Sequence, residues 1–229
     1  MLADDPDPEG AMATARRGDA STRAYDRIRH DIVAGTLPPG SMLSENALAQ
    51  ELGVSRTPVR AALSRLQSEG WVSIYPQRGA LVRELTYDEI RDAAEVRHAL
   101  ETAGVLRADP DRSAPLLDAL QDSIEDQRKD LAAGDFAAFN QRSLKFHRTF
   151  VELAGNATML TLYDRVQDRQ LQSTARSAPV IIEDPESVLE EHHAMVEHAR
   201  RRDWVRFAQL LDTHQTSRHG TISRMPAQH

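Results

Sequence analysis

Cysteine is absent from all 229 residues. Disulfides, thiolate zinc fingers and cysteine nucleophiles are therefore excluded, and a reducing compartment is compatible with the composition. Long apolar runs are missing too. No stretch approaches the ~18 apolar residues of a membrane span, and the opening MLADDPDPEGAMATARRGDA lacks the apolar centre of a signal peptide. The expected location is the cytoplasm. General basicity is lacking as well, since the formal charge is -7 and the pI is near 5.7, which argues against a uniformly basic nucleic-acid coat. HExxH, P-loop and Gly-x-Ser-x-Gly signatures are absent. Residues 1–20 are acidic and contain Pro and Gly, with too little apolar surface to order themselves, and are read as a disordered tail.

What is present divides in two. A hydrophobic content of 40% supports two modest cores. Residues 21–84 hold eight arginines against six acids, whereas residues 85–229 hold 18 basic and 24 acidic residues. The basic side is expected to meet phosphates, and the acidic side to repel them. The predicted organisation is a tail over 1–20, a first domain over 21–84 and a second over 85–229.

Within the first domain, a helix from about Thr22 to Ala34 carries Tyr25, Ile28 and Ile32 at core spacing, with Gly35 as its stop. Ser44 is placed to cap a second helix, with Leu43 packing on Leu48 across the entry, and Gly53 ends it. A third helix follows, with Ser55 at its cap. Val59, Ala62, Leu63 and Leu66 form its inner stripe, so Arg56, Arg60 and Ser64 fall on the outer side. Gly70 stops this helix. Trp71 to Ile74 and Ala80 to Arg83 then read as two strands around Tyr75-Pro76-Gln77-Arg78-Gly79, a turn with a basic tip. Two helices at a turn followed by a hairpin make a winged helix-turn-helix. A recognition helix brings its N-terminal residues to base edges in the major groove, where a guanidinium pairs bidentately with guanine. Arg56 and Arg60 are the expected base readers. Ser44, Asn46, Ser55 and Arg78 complete the expected DNA-facing set.

The second domain opens at the capping box Thr86-x-x-Glu89. Its helices are predicted from there onward, then over about Pro115–Ala132, Phe136–Ala154, Thr158–Ala175, Pro185–Arg202 and Trp204–His219. Such a series reads as an antiparallel all-helical bundle, a fold that builds ligand and metal sites from inward side chains. His147 lies beside the Phe139, Phe146, Phe150 and Leu153 face. His192 accompanies Val188, Met195 and Ala199, and His214 continues the Phe207, Leu210 and Leu211 face. Spacing alone reads each as a core or surface residue; converged, three imidazoles would suit a divalent transition metal with open positions. Arg97 lies on an inner stripe with Ile90, Ala94 and Leu100. It either holds a ligand carboxylate or pairs with Glu101 one turn on. Asn140 can reach the same cavity, while Asn156 reads as a cap.

The segments SENALAQELGVSRTPVRAAL, RLQSEGWV and RGA resemble the winged helix of GntR-type bacterial transcription factors over roughly residues 21–84. That resemblance implies DNA contacts by Arg56, Thr57 and Arg60, and a minor-groove approach by the wing at Gly79. Asn46 departs from relatives that carry arginine there. VRHALETAG, FNQRSLKFHRTFVELAGN and EEHHAMVEHARRRDWVRFAQLLDTH resemble the FCD domain of the FadR subfamily, an all-helical effector-binding module, over about residues 86–220. In many such domains an aspartate and three histidines hold a divalent metal. By motif matching the histidines are His147, His192 and His214, and Ser143 stands at the aspartate position. His193, His198 and His219 are set aside as surface residues.

Ser143 leaves two alternatives: a three-histidine centre, zinc or nickel by ligand type, that favours an anionic ligand, or a metal-free pocket lined by the same histidines with Arg97, Asn140 and Ser143. The expectation as a whole is a homodimeric, ligand-responsive regulator. It would repress at a pseudo-palindromic double-stranded operator and release it on binding a small carboxylate effector, without membrane association or catalysis. Two other readings are weighed against it: a metal-dependent hydrolase using the three histidines, and a ligand-blind architectural DNA binder.

Overall fold

Helix α1 (Pro8–Val33) turns Ala24, Tyr25, Ile28 and Ile32 onto one buried stripe, the i, i+3/i+4 pattern of a helix packed on one side. The structure is a computed structural model that describes residues 8–174 and 183–223. It divides the chain into two units, residues 1–84 and 85–229. Residues 8–20 are helical rather than an unstructured tail, which corrects the expectation for that part of the 1–20 segment. Pro8 suits the first helical position, and the run of Ala11, Met12, Ala13, Ala15, Arg16 and Arg17 has enough helix propensity to extend α1 backwards. The expectation for residues 1–7 lies outside the described residues.

After α1 come β1 (Met42–Leu43), α2 (Glu45–Glu51), α3 (Arg56–Ser68), β2 (Val72–Tyr75) and β3 (Gly79–Val82). The strands form an antiparallel sheet in the order β1-β3-β2, with Leu43 opposite Ala80 and Val72 opposite Val82. Ser44 caps α2 by accepting from the Ala47 amide. Ser55 occupies the cap position of α3 but makes no side-chain cap bond. Ile28, Ile32, Leu43, Leu48, Val59, Leu63, Leu66, Trp71 and Val82 form one core. The wing is therefore anchored by a third strand that the two-residue length of β1 hides from any periodicity. Gly79 is needed for that anchoring: its φ is +108°, and a Cβ there would lie 2.2 Å from the Leu43 carbonyl oxygen.

The second unit contains α4 (Tyr87–Leu106), α5 (Pro110–Ala132), α6 (Phe136–Glu152), α7 (Ala157–Thr174), α8 (Pro185–Arg200) and α9 (Trp204–Ser223). The Thr86–Glu89 capping box is complete at the start of α4. Helix α5 begins at Pro110, five residues before the expected start, and runs through Pro115 in its second turn, where the helix forgoes one backbone hydrogen bond. Asn156 accepts from the Thr158 and Met159 amides and caps α7. Helix α4 packs on α6, α7 and α9, while α5 packs on α6 and α8. Leu120, Ile124, Phe146, Phe150, Leu189, Met195, Val196, Phe207 and Leu211 fill the centre. The α4–α6 crossing is set by Gly104, where a Cβ would stand 2.0 Å from the Phe150 carbonyl oxygen. Among the described residues, no helix is long and apolar enough to cross a membrane.

Candidate functional site

Three helices of the second unit each deliver one buried imidazole to the same place. His147 comes from α6, His192 from α8 and His214 from α9, and one ligand atom of each lies within 4.8 Å of the others. Ring centroids are 5.0 to 5.3 Å apart. The helices converge there because the apolar faces flanking each histidine are buried together, and Phe146 stacks on the His192 ring at 4.4 Å.

Each ring is oriented from behind. Nδ1 of His147 lies 2.8 Å from Glu101 Oε2, Nδ1 of His192 lies 2.9 Å from Gln127 Oε1, and Nδ1 of His214 lies 2.5 Å from Glu191 Oε2. Carboxylate and amide oxygens are acceptors, so Nδ1 donates in each pair and the lone pair of the neutral ring resides on Nε2. That is the arrangement by which outer partners fix the tautomer and raise the basicity of metal-ligating histidines. The donor set fits a borderline transition metal held by three nitrogens. Among the described residues, the cluster includes no carboxylate ligand. Ser143 is half-buried one turn before His147, and Asn140 is half-buried a further turn back.

Glu101 joins this cluster to Arg97. Its Oε1 accepts from Arg97 Nη2 at 3.1 Å and from the Tyr163 hydroxyl at 2.8 Å, while Arg97 Nε donates to Tyr163 at 3.3 Å. All three residues are buried. Burial alone would raise the Glu101 carboxyl, but its interactions with His147 and Arg97 and the hydrogen bonds from His147 and Tyr163 hold it below the usual carboxylate range. Burial also drives the Tyr163 phenol well upward, so it is a proton donor here. Arg97 thus makes the Glu101 ion pair, and one of its nitrogens, Nη1, is buried with no hydrogen-bond partner among the described residues.

Sequence reasoning places the three histidines and Arg97 but does not find Gln127, Glu191 or Tyr163. These approach from other helices and have no local motif. His193 and His198 are half-buried rather than surface residues, and His193 Nδ1 pairs with Gln121 Nε2 at 2.9 Å. The apolar packing of α8 draws that part of the helix inward. The side chain of His219 lies outside the described residues.

In the first unit, Ser44, Asn46, Ser55, Arg56, Thr57, Arg60 and Arg78 are all exposed, and Gly79 is half-buried behind the wing tip. The Arg78 amide donates to the Tyr75 carbonyl to close the wing turn, with Gln77 at a φ of +62°. Glu45, at the start of α2, accepts from Arg56 Nη2 at 3.2 Å and from Arg60 Nε at 2.7 Å.

A winged helix joined to a helical domain with a buried polar centre is the plan of a DNA-binding regulator controlled by a ligand. The family model described as "Bacterial regulatory proteins, gntR family" matches residues 20–82, and that of the FCD domain matches residues 92–217. The chain belongs to the GntR family of bacterial transcriptional regulators and carries an FCD effector domain. It is 35% identical over 134 residues, 57% of this chain and 78% of the relative, to an uncharacterized HTH-type transcriptional regulator from the TAR-I ttuE-ttuC' intergenic region of Agrobacterium vitis. Over 200 residues, 86% of this chain and 81% of the relative, it is 28% identical to the gluconate operon transcriptional repressor of Bacillus licheniformis. Its fold is that of a GntR regulator from Rhodococcus sp. RHA1, with a TM-score of 0.74 at 23% identity over 90% of this chain and 99% of that one.

Proposed function

We propose that this chain is a homodimeric repressor that leaves a pseudo-palindromic operator when a small organic acid occupies the helical domain. The observation that carries the reading is Arg97 Nη1, a buried charged donor without an acceptor among the described residues, one carboxylate away from the three imidazoles. Leaving such a donor unmet is unfavourable by about 1–3 kcal/mol. A ligand carboxylate would supply the acceptor. In this reading His147, His192 and His214 hold one divalent transition metal, zinc or nickel by ligand type, and Ser143 leaves room for an anionic ligand where an aspartate would otherwise stand. The metal would contribute a Lewis-acidic docking point; Arg97 would orient the acid, with Asn140 and Ser143 beside it.

Arg56 and Arg60 read base edges in this reading, while Ser44, Asn46, Ser55, Thr57 and Arg78 meet the phosphates or the grooves around them. A single small winged helix makes few base contacts, so a dimer on two half-sites supplies the specificity. Ligand and operator must then oppose each other reciprocally. No turnover is assigned, because sensing requires binding alone. The gluconate operon named for the Bacillus relative makes gluconate the first acid to try.

The test is elemental analysis of untagged protein, wild type against His192→Ala, followed by thermal shifts with zinc, nickel and manganese. About one metal per chain, lost in the variant, is expected. A wild-type site that stays empty after dialysis against all three ions would leave a metal-free pocket. Operator binding that tightens with gluconate and with every other short hydroxy acid tried would overturn repression relieved by ligand.

A further inference from the structure

We propose that Glu45 is a specificity-determining positioning residue of the DNA reader, holding Arg56 and Arg60 as a registered pair of forks while keeping phosphates away from them. The proposal rests on the reading of those two arginines as base contacts. They stand one turn apart at the exposed start of α3, with side-chain exposures of 55% and 60%. Two neighbouring guanidiniums repel each other, and each is a long side chain with many rotamers, so neither would hold a direction unaided. A single oxygen, Glu45 Oε2, accepts from both across 11 and 15 residues of sequence. Glu45 is itself well placed to do so, at the first position of a helix fixed by the Ser44 cap and by buried Leu48 and Ala49.

Which nitrogens are engaged matters more than the ion pairing. Arg60 is held through Nε, leaving Nη1 and Nη2 as an end-on fork, and Arg56 gives up only Nη2. Neither has another partner among the described residues. Bidentate recognition of guanine O6 and N7 needs two N–H groups from one guanidinium in a fixed direction. An arginine anchored from the side keeps that capacity, and one anchored through both terminal nitrogens would lose it. The carboxylate's remaining charge opposes phosphate at the same spot, disfavouring DNA in any register where the arginines would otherwise find only backbone. The two arginine contacts also hold the Glu45 carboxyl below the usual range despite partial burial.

Full-length protein is first used to select duplexes from a random pool. Affinity is then measured for the selected duplex and for a scrambled one, across a salt series. Glu45→Gln is expected to raise scrambled-duplex affinity several-fold and lower the selected-to-scrambled ratio at least ~10-fold, which is about 1.4 kcal/mol. Glu45→Asp, too short to reach both arginines, should also lower the ratio without the gain on scrambled DNA. In an Arg56→Ala/Arg60→Ala background, Glu45→Gln should leave the ratio unmoved. A ratio unchanged by both Glu45 variants overturns the proposal, whether absolute affinities rise together, as for a simple latch, or fall together, as for a fold defect. Should the double arginine variant keep the wild-type ratio, the arginine reading itself fails, separately from Glu45. Melting temperatures of the variants, expected to match wild type, show that the readout is recognition.

Discussion

The two units use the same ionic chemistry in opposite surroundings. In the winged helix, Arg56 and Arg60 meet Glu45 at the surface, over a core that is almost wholly apolar. In the helical unit, Arg97 meets Glu101 with side-chain exposures of 1% and 0%, and that pair forms part of the interior itself. Exposed pairs contribute little to stability, so Glu45 can direct the two arginines at small energetic cost while their remaining N–H groups stay open to an incoming partner. Buried pairs are strongly destabilising to break and hold their geometry, as a discriminating pocket must. The difference teaches that burial, more than residue type, decides whether an ion pair orients an arginine for an outside partner or builds it into the interior.

The sharpest way to break the contrast is Glu101→Ala. It strips the acceptor from Arg97, Tyr163 and His147 together, and we expect a loss of about 3–5 kcal/mol in the helical unit. Urea unfolding in a Trp204→Phe background, where Trp71 reports the winged helix, should show that unit unchanged while the loss of helicity shifts to lower urea. Coincident shifts in both signals would mean that the units unfold as one. Next in size is Gly104→Ala, whose methyl would collide with the Phe150 carbonyl at the α4–α6 crossing. Overpacking of this kind costs about 1–3 kcal/mol, and the displaced Glu101 should also weaken the zinc binding proposed for the three histidines, read by competition with a chromogenic chelator; unchanged zinc affinity would detach the crossing from the site.

On the exposed side, Arg56→Ala should weaken operator binding by about 1–3 kcal/mol and relax base preference, with the melting temperature unmoved. Uniform weakening on every sequence would make it a phosphate contact instead. The smallest effect expected is a gain. Gln77→Gly relieves a positive φ at the wing tip and should stabilise the winged unit by about 1 kcal/mol, measured by its urea midpoint; a loss would show that the Gln77 side chain supports the turn.

Legibility in the sequence follows the same division. Reader features are local: the Ser44 cap, the α3 stripe and the Tyr75–Gly79 turn lie within a few residues of the structures they dictate. The third strand escapes, because Met42–Leu43 is too short for alternation and becomes a strand only on pairing with Ala80 and Leu81. In the helical unit, amphipathic spacing and resemblance together bring out the three histidines. Their supports do not emerge, because Glu101 reaches His147 across 46 residues and Gln127 reaches His192 across 65. Nothing near either partner marks the pairing, since a buried acceptor is chosen by helix packing. The extent of α1 is misjudged for a related reason: Pro, Gly and acidic residues at the start outweigh the helix formers in composition, whereas the backbone responds to their order.

The glycine contact at the α4–α6 crossing also gives α4 the character of a lever. With no side chain between the backbones, Gly104 is the point about which α4 can tilt against α6, and Glu101 lies less than one turn from it. Thr86, at the other end, is about 27 Å away at the helical rise. A tilt of about 5° therefore moves Glu101 by only a few tenths of an ångström and the Thr86 end by about 2 Å. Small adjustments beside the histidines are thereby magnified along α4 itself.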